Sequence, residues 1–330
     1  NISPKQSIGV ITRGRTFLNL NNISGELYED LENGFEGEEN FNFNMNNFSG
    51  TIHAWGELGL TYGRILMEKD SHFLKGGITL KYLAGAGGVF ASAPSLTGNY
   101  DATSEILTTT GSLKYGAASE FDSEDIEFSN TTSGFGADIG FTYEYRNSPD
   151  LDSLSKKDNK YKFKLGLSIT DIGSISYDDT SVTDYDMNNS VNTSDFGDKS
   201  IEDFLEENYE GAETIEKSKL NLPTALHILL DYNITRRIYA SLNGSFSLIA
   251  EDKPQASRVI NTLTLSPRFE TKLFSFYLPL SLRQYDGLSA GAGLRLGPLT
   301  VGSGSAITNL LSDSTKTTDV YVGLKIPIYQ

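Results

Sequence analysis

The sequence predicts an all-β fold: an antiparallel transmembrane β-barrel of about 12 strands, with short periplasmic turns, long external loops and one short helix near 201–210. Three observations predict it. Apolar residues alternate with polar or small ones, the alternation holds for nine or more residues at a time, and no stretch is apolar enough for a membrane helix. A helix repeats every 3.6 residues, so period 2 assigns strand. Sandwich strands run about 5–6 residues, whereas a tilted strand needs roughly 9–11 to cross a bilayer. Run length therefore favours the membrane.

Composition narrows the alternatives. The 330 residues include 32 Gly, 17 Tyr and 18 Phe, which suits strands joined by many turns. The longest uncharged stretches, 82–100 and 296–312, are broken by Gly and Pro, short of the ~20 consecutive apolar residues of a helical span. With 27 Lys+Arg scattered among 43 Asp+Glu, the net charge is −16 and no basic patch exists for nucleic acid. The absence of Cys excludes disulfides, thiolate nucleophiles and Cys-ligated zinc. The chain begins at Asn1 and shows no charged segment followed by an apolar one, so a cleaved signal peptide or a missing N-terminal piece is expected. Either suits an exported protein.

Strands are expected near 7–19, 50–65, 73–88, 132–146, 160–176, 223–234, 237–250, 257–270, 273–285, 287–296, 298–307 and 318–330. In the fourth, Phe135, Ala137, Ile139, Phe141, Tyr143 and Tyr145 oppose Gly136, Asp138, Gly140, Thr142, Glu144 and Arg146. In the fifth, Tyr161, Phe163, Leu165, Leu167 and Ile169 oppose Lys162, Lys164, Gly166, Ser168 and Thr170. The ninth sets Phe274, Phe276, Leu278, Leu280 and Leu282 against Ser275, Tyr277, Pro279, Ser281 and Arg283. The tenth and twelfth repeat the pattern from Leu288 to Leu296 and from Val320 to Ile328. Long connections at 20–49, 89–131, 177–222, 251–256 and 308–317 alternate with short ones, apart from a tight turn at Asp286-Gly287. That order fits one barrel domain over 1–330 with external loops on one side and both ends on the other. Omitted N-terminal residues or a hairpin within 89–131 would raise the count to 14.

The second face carries Glu57, Lys75, Lys81, Asp138, Glu144, Lys162, Lys164, Arg283, Arg295 and Lys325 among Gly, Ser and Thr. Opposite charges that pair and small residues that leave room suit a polar lumen, so these ten are the expected lumen-facing charges. Tyr145, Tyr161 and Tyr329 are expected in an interfacial aromatic girdle.

Between Asp178 and Glu213 twelve acids face a single Lys199. There Ser200 with Asp203 resembles a capping box, Gly211 offers a stop, and Ile201, Phe204 and Leu205 make an apolar stripe. The stripe is expected on the barrel mouth or as an external partner surface. Oxygen-rich loops raise the question of Ca²⁺, but EF-hand spacing is absent, and a solvated acidic loop is the favoured reading here and at 119–128. Catalytic chemistry finds little support. His53, His72 and His227 fall on different strands or turns, 302–306 lacks G-x-S-x-G, and the Gly-rich 85–88 and 291–293 do not open helices. Asp138 and Glu144 stand about 20 Å apart along one strand. A non-enzymatic chain without metal or cofactor is expected.

The stretches 51–66, 72–85, 134–146 and 308–329 resemble segments of Bacteroidota outer-membrane β-barrel proteins. These are broadly similar to the long-chain fatty acid transporter FadL and to the PorV and PorP/SprF-like barrels of type IX secretion and gliding motility. The likeness is one of strand texture through most of the chain, and no site residue carries over. It implies a bacterial outer-membrane location, contact with outer-membrane lipid and membership of a larger envelope complex. Asp313-Ser314-Thr315 and Asp152-Ser153-Leu154 are similar to the short O-glycosylation signal of that phylum. The expected role is a structural or accessory subunit of a secretion- or gliding-type complex. A porin-like or FadL-like conduit for small or lipophilic solutes and a soluble adhesin or carbohydrate-binding module are the alternatives.

Overall fold

The computed structural model describes residues 2–37, 39–118, 132–146, 161–194, 196–251, 253–312 and 317–325. Their strands form one large antiparallel sheet of seventeen members. β1 (Gln6–Asn21) pairs with β2 (Phe41–Lys69), and β2 turns at Asp70, with φ 52°, into β3 (His72–Asp101). The first half of β3 pairs with β5 (Ser133–Tyr145) and its second half with β4 (Ile106–Ala118). β5 leads to β6 (Phe163–Asp186), whose first half pairs with β9 (Ala225–Thr235). The second half of β6 lies between β4 and β8 (Glu210–Asn221), and β7 (Asn189–Asn192) pairs with β4.

From β9 the ladder continues through β10 (Ile238–Ser247) to β11 (Thr262–Glu270). β12 (Phe274–Tyr277) and β13 (Leu280–Arg283) are one line interrupted at Leu278-Pro279, because proline has no N–H to give the ladder. They face β15 (Ala292–Leu296) and β14 (Gly287–Ala290), followed by β16 (Leu299–Ser303) and β17 (Tyr321–Leu324). Among the described residues no ladder joins β17 to β1.

Every one of the twelve expected segments contains strand. Three corrections follow. Among the described residues, the end of the expected loop 20–49 and much of 89–118 and 177–222 are sheet: β2 begins at Phe41, β3 runs on to Asp101, and β4, β7, β8 and the far half of β6 extend the sheet beyond the expected spans. Their Asn, Thr, Ser and Gly content reads as loop, yet these residues keep ladder partners once a neighbouring strand is present. Among the described residues the count is seventeen rather than twelve, from those additions and from the breaks at Pro279 and Gly291. Among the described residues three α-helices are present: α1 (Gly25–Glu32), α2 (Ile201–Asn208) and α3 (Ala306–Leu311). α2 begins as expected, with Ser200 Oγ accepting the Asp203 N–H at 3.1 Å, but it ends at an extended Tyr209 and Gly211 lies in β8.

Burial is inverted relative to a water-soluble sheet. Leu58, Leu80 and Phe135 are 57%, 62% and 76% exposed, whereas Glu57 and Lys81 are 5% and 2% exposed. The outward apolar row continues through Leu167, Leu230, Leu242, Leu265, Leu282, Leu294 and Val322. The sheet is strongly curled. Arg15 on β1 reaches Asp171 on β6 at 2.7 Å, although four ladders separate the strands and a flat sheet would hold them about 19 Å apart.

Candidate functional site

The inner face is built around Lys81. Its Nζ lies 2.6 Å from Asp138, 2.7 Å from Asp171 and 3.8 Å from Glu57. Glu57 also pairs with Arg13, its register partner across β1 and β2. Three cations thus meet three carboxylates, which is the condition for keeping ions out of bulk water at tolerable cost. Asp171 enters through backbone geometry: it adopts φ 56° at a register shift opposite Ala137/Ile139, and its N–H donates to Asp138 at 2.8 Å. The extra residue reverses the strand's facing there. Strict alternation gives no hint of that, so Asp171 was missing from the expected inner residues, as were Arg13 and Arg15 on a strand with few charges.

Above this network sits an apolar layer of Trp55, Leu83, Phe90, Ile175, Leu220 and Leu222. Arg15 spans the two, its guanidinium 5.0 Å from the Phe17 ring and 5.2 Å from Trp55. The 254–258 segment crosses the same side. Thr51 Oγ1 donates to Pro254 O, and Asn19 and Arg258 exchange two hydrogen bonds of 3.1 and 2.9 Å.

A second set of pairs gathers near the short turns. Arg268 Nη2 is 2.8 Å from Asp231, Arg295 reaches Glu270 at 3.5 Å and Ser275 Oγ at 2.7 Å, and Lys75 lies 3.9 Å from Glu144. Arg283 meets Asp319 at 3.2 Å. Lys164 stands 5.5 Å over the Tyr161 ring and Lys325 is exposed beyond β17. Two expectations are corrected. Lys162 turns to the ring of Tyr232 on the outward face, 4.6 Å away, and Tyr161 is buried inside, donating to Asp231 at 2.7 Å. Both residues precede β6, where the alternation has not yet begun. Tyr145 stacks on Phe163 as an outward aromatic, while Tyr329 lies outside the described residues.

The histidines stay apart: His53 lies 3.1 Å from Tyr177, His72 2.6 Å from Tyr143 and His227 2.9 Å from Thr170. Among the described residues no group of acids and histidines is placed to hold a metal ion. The 119–128 acids and both glycosylation-like triplets lie outside the described residues.

The sheet extension holds a third feature. α1 and α2 lie over it, enclosing an apolar cavity of about 380 Å³. Phe43, Met45, Leu96, Phe204 and Leu205 are buried around it. The stripe of α2 is therefore spent on this chain's own sheet. Phe204 and Leu205 are not a partner surface, and only Ile201 remains outward, 55% exposed. Burial, reinforced by Glu206 and Asp203, raises the pKa of Glu202, and burial with Glu29 beside it raises that of Asp30.

The chain belongs to DUF5723, a family of unknown function, whose family model matches residues 1–304. No curated protein matches it.

Proposed function

Within that family, we propose that the chain is a non-enzymatic outer-membrane β-barrel, serving as a structural or accessory subunit of a larger cell-envelope complex. One observation carries the membrane reading: the apolar side chains on the outside of the curled sheet are exposed while the charged ones inside are buried and paired. A soluble protein rarely leaves a continuous apolar patch of more than a few hundred Å² in water. Lipid tails solvate such a band, and closing the curl between β17 and β1 removes the free edges that hydrocarbon does not tolerate.

The accessory role is supported by the inner face. Balanced ion pairs, the apolar layer around Trp55 and the crossing 254–258 segment fill much of the interior, which disfavours a wide ion path. The secretion- or gliding-type assignment rests on the resemblance of the strand sequences. A conduit for small or lipophilic solutes is the second reading. It is favoured by the Gly-, Ser- and Thr-rich spaces of about 360 and 430 Å³, the first along β5, β6 and β9–β11 and the second along β11–β13, β16 and β17.

Fractionation and conductance test both readings. Membrane-bound material that needs detergent for release and shifts its gel mobility on heating is expected, and release without detergent refutes the barrel in favour of a soluble module. Steady single-channel currents in planar bilayers, with no co-purifying envelope protein, would replace the accessory role by the conduit.

A further inference from the structure

We propose that the cavity under α1 and α2 takes one acyl chain of a membrane lipid, entering sideways from the outer leaflet. The inference rests on the membrane-spanning reading above.

The floor of the cavity is the outward face of the sheet. Leu18, Ile52 and Val89 stand side by side across β1, β2 and β3, and Leu20, Gly50 and Ala91 form the next row. Farther down the same face lie Val10, Leu60 and Leu80, three residues of the exposed apolar band. The band begins one row nearer, at Thr12, Leu58 and Tyr82, and between it and the cavity floor come only small side chains, in the rows Thr16, Ala54, Gly87 and Gly14, Gly56, Ala84. The wall is therefore shallow from the lipid-facing band up to the cavity, and its mouth is itself greasy, with Leu18 59% exposed.

Chemistry selects the occupant. The volume falls within the ~300–1,000 Å³ of small-molecule sites, and a space lined in this way offers water no hydrogen bonds. Among the described residues Glu32 is the lone charged one of its lining, and no cation lines it to hold a phosphate or carboxylate. A hydrocarbon tail fits, with its headgroup left outside at the membrane surface. Continuity with the band identifies a bilayer lipid as the source.

Native mass spectrometry of the protein in a mild nonionic detergent tests the proposal. One retained lipid per chain is expected. Ala91→Phe, which fills the floor, should lower retention about tenfold, whereas Leu60→Phe, on the band below, should leave it unchanged. No retained lipid in the unaltered protein overturns the proposal, as does equal retention by Ala91→Phe. An independent readout needs no filled cavity: with Trp55→Phe removing the native indole, Met45→Trp places one beside the cavity. Vesicles of phosphatidylcholine with dibrominated acyl chains should quench it, and unquenched fluorescence overturns the proposal. Recovery of the protein without detergent refutes the membrane reading itself, whereas detergent-requiring protein with an empty cavity refutes the lipid site alone.

Discussion

Lys81 and Asp171 are 90 residues apart in the chain, yet Nζ and Oδ1 lie 2.7 Å apart beneath a layer of apolar side chains. Neither strand borders the other; β5 runs between them. The contact exists because the sheet curls and because the chain at Asp171 is irregular, and it ties the inner face of four strands to one ammonium group.

Lys81→Met would leave Glu57, Asp138 and Asp171 facing one another with Arg13 and Arg15 alone to balance them. A loss of about 3–5 kcal/mol is expected from stranding buried charge. The midpoint of urea unfolding, read from the heat-modifiable gel band, measures it. Adding Asp138→Asn should recover part of the loss, because the two sites share one network; an unchanged midpoint for Lys81→Met would show that the inner charges are hydrated rather than paired.

Leu80→Arg places a charge in the outward band and should cost about 2–4 kcal/mol in vesicles. Ser168→Lys, which points into an inner space, should change stability by only ~0.5 kcal/mol. Equal costs at the two positions would contradict the assignment of faces.

Gly116→Ala tests the packing of the extension. The Phe90 ring lies over Gly116 where a Cβ would stand. Overpacking of about 1–3 kcal/mol is expected, visible as a lower urea midpoint. Combining it with Phe90→Leu should restore part of the stability, and a neutral Gly116→Ala would mean that the ring moves freely.

Acidification should tighten the cover over the cavity. The Asp30 and Glu202 carboxyls have folded pKa values raised above 3.8 and 4.5, so the folded state binds protons more readily than the unfolded one. Their contribution is fully present below those ordinary values and is lost as pH rises through the raised ones. The protection factors of amides in α1 and α2, with the intrinsic pH dependence of exchange divided out, should therefore be higher at mildly acidic than at neutral pH. A change confined to Glu202→Gln and Asp30→Asn variants would contradict this assignment.

Much of the strand map was legible because period 2 survives in any window of the chain: Phe135 to Tyr145 and Phe274 to Leu282 announce strands before any neighbour is known. The helix at 201–208 was legible for a similar reason, since Ser200 caps the Asp203 N–H within one turn. The extension was not. Phe41, Phe43 and Met45 sit in an Asn-rich run whose ladder partners, Leu96 to Tyr100, lie over fifty residues away. The reversal at Tyr161 and Lys162 was hidden because alternation predicts a facing only inside a strand, and β6 starts at Phe163.

The amino-acid order by itself determined which side chains share a face, because successive residues of an extended chain point to opposite sides whatever surrounds them. Tertiary structure alone decided which of those side chains meet. The ions around Lys81, the burial of Phe204 and Leu205 against their own sheet and the cavity beneath α1 and α2 depend on curl, register shifts and strand order. These are set by packing between segments distant in the chain, and no local pattern records them.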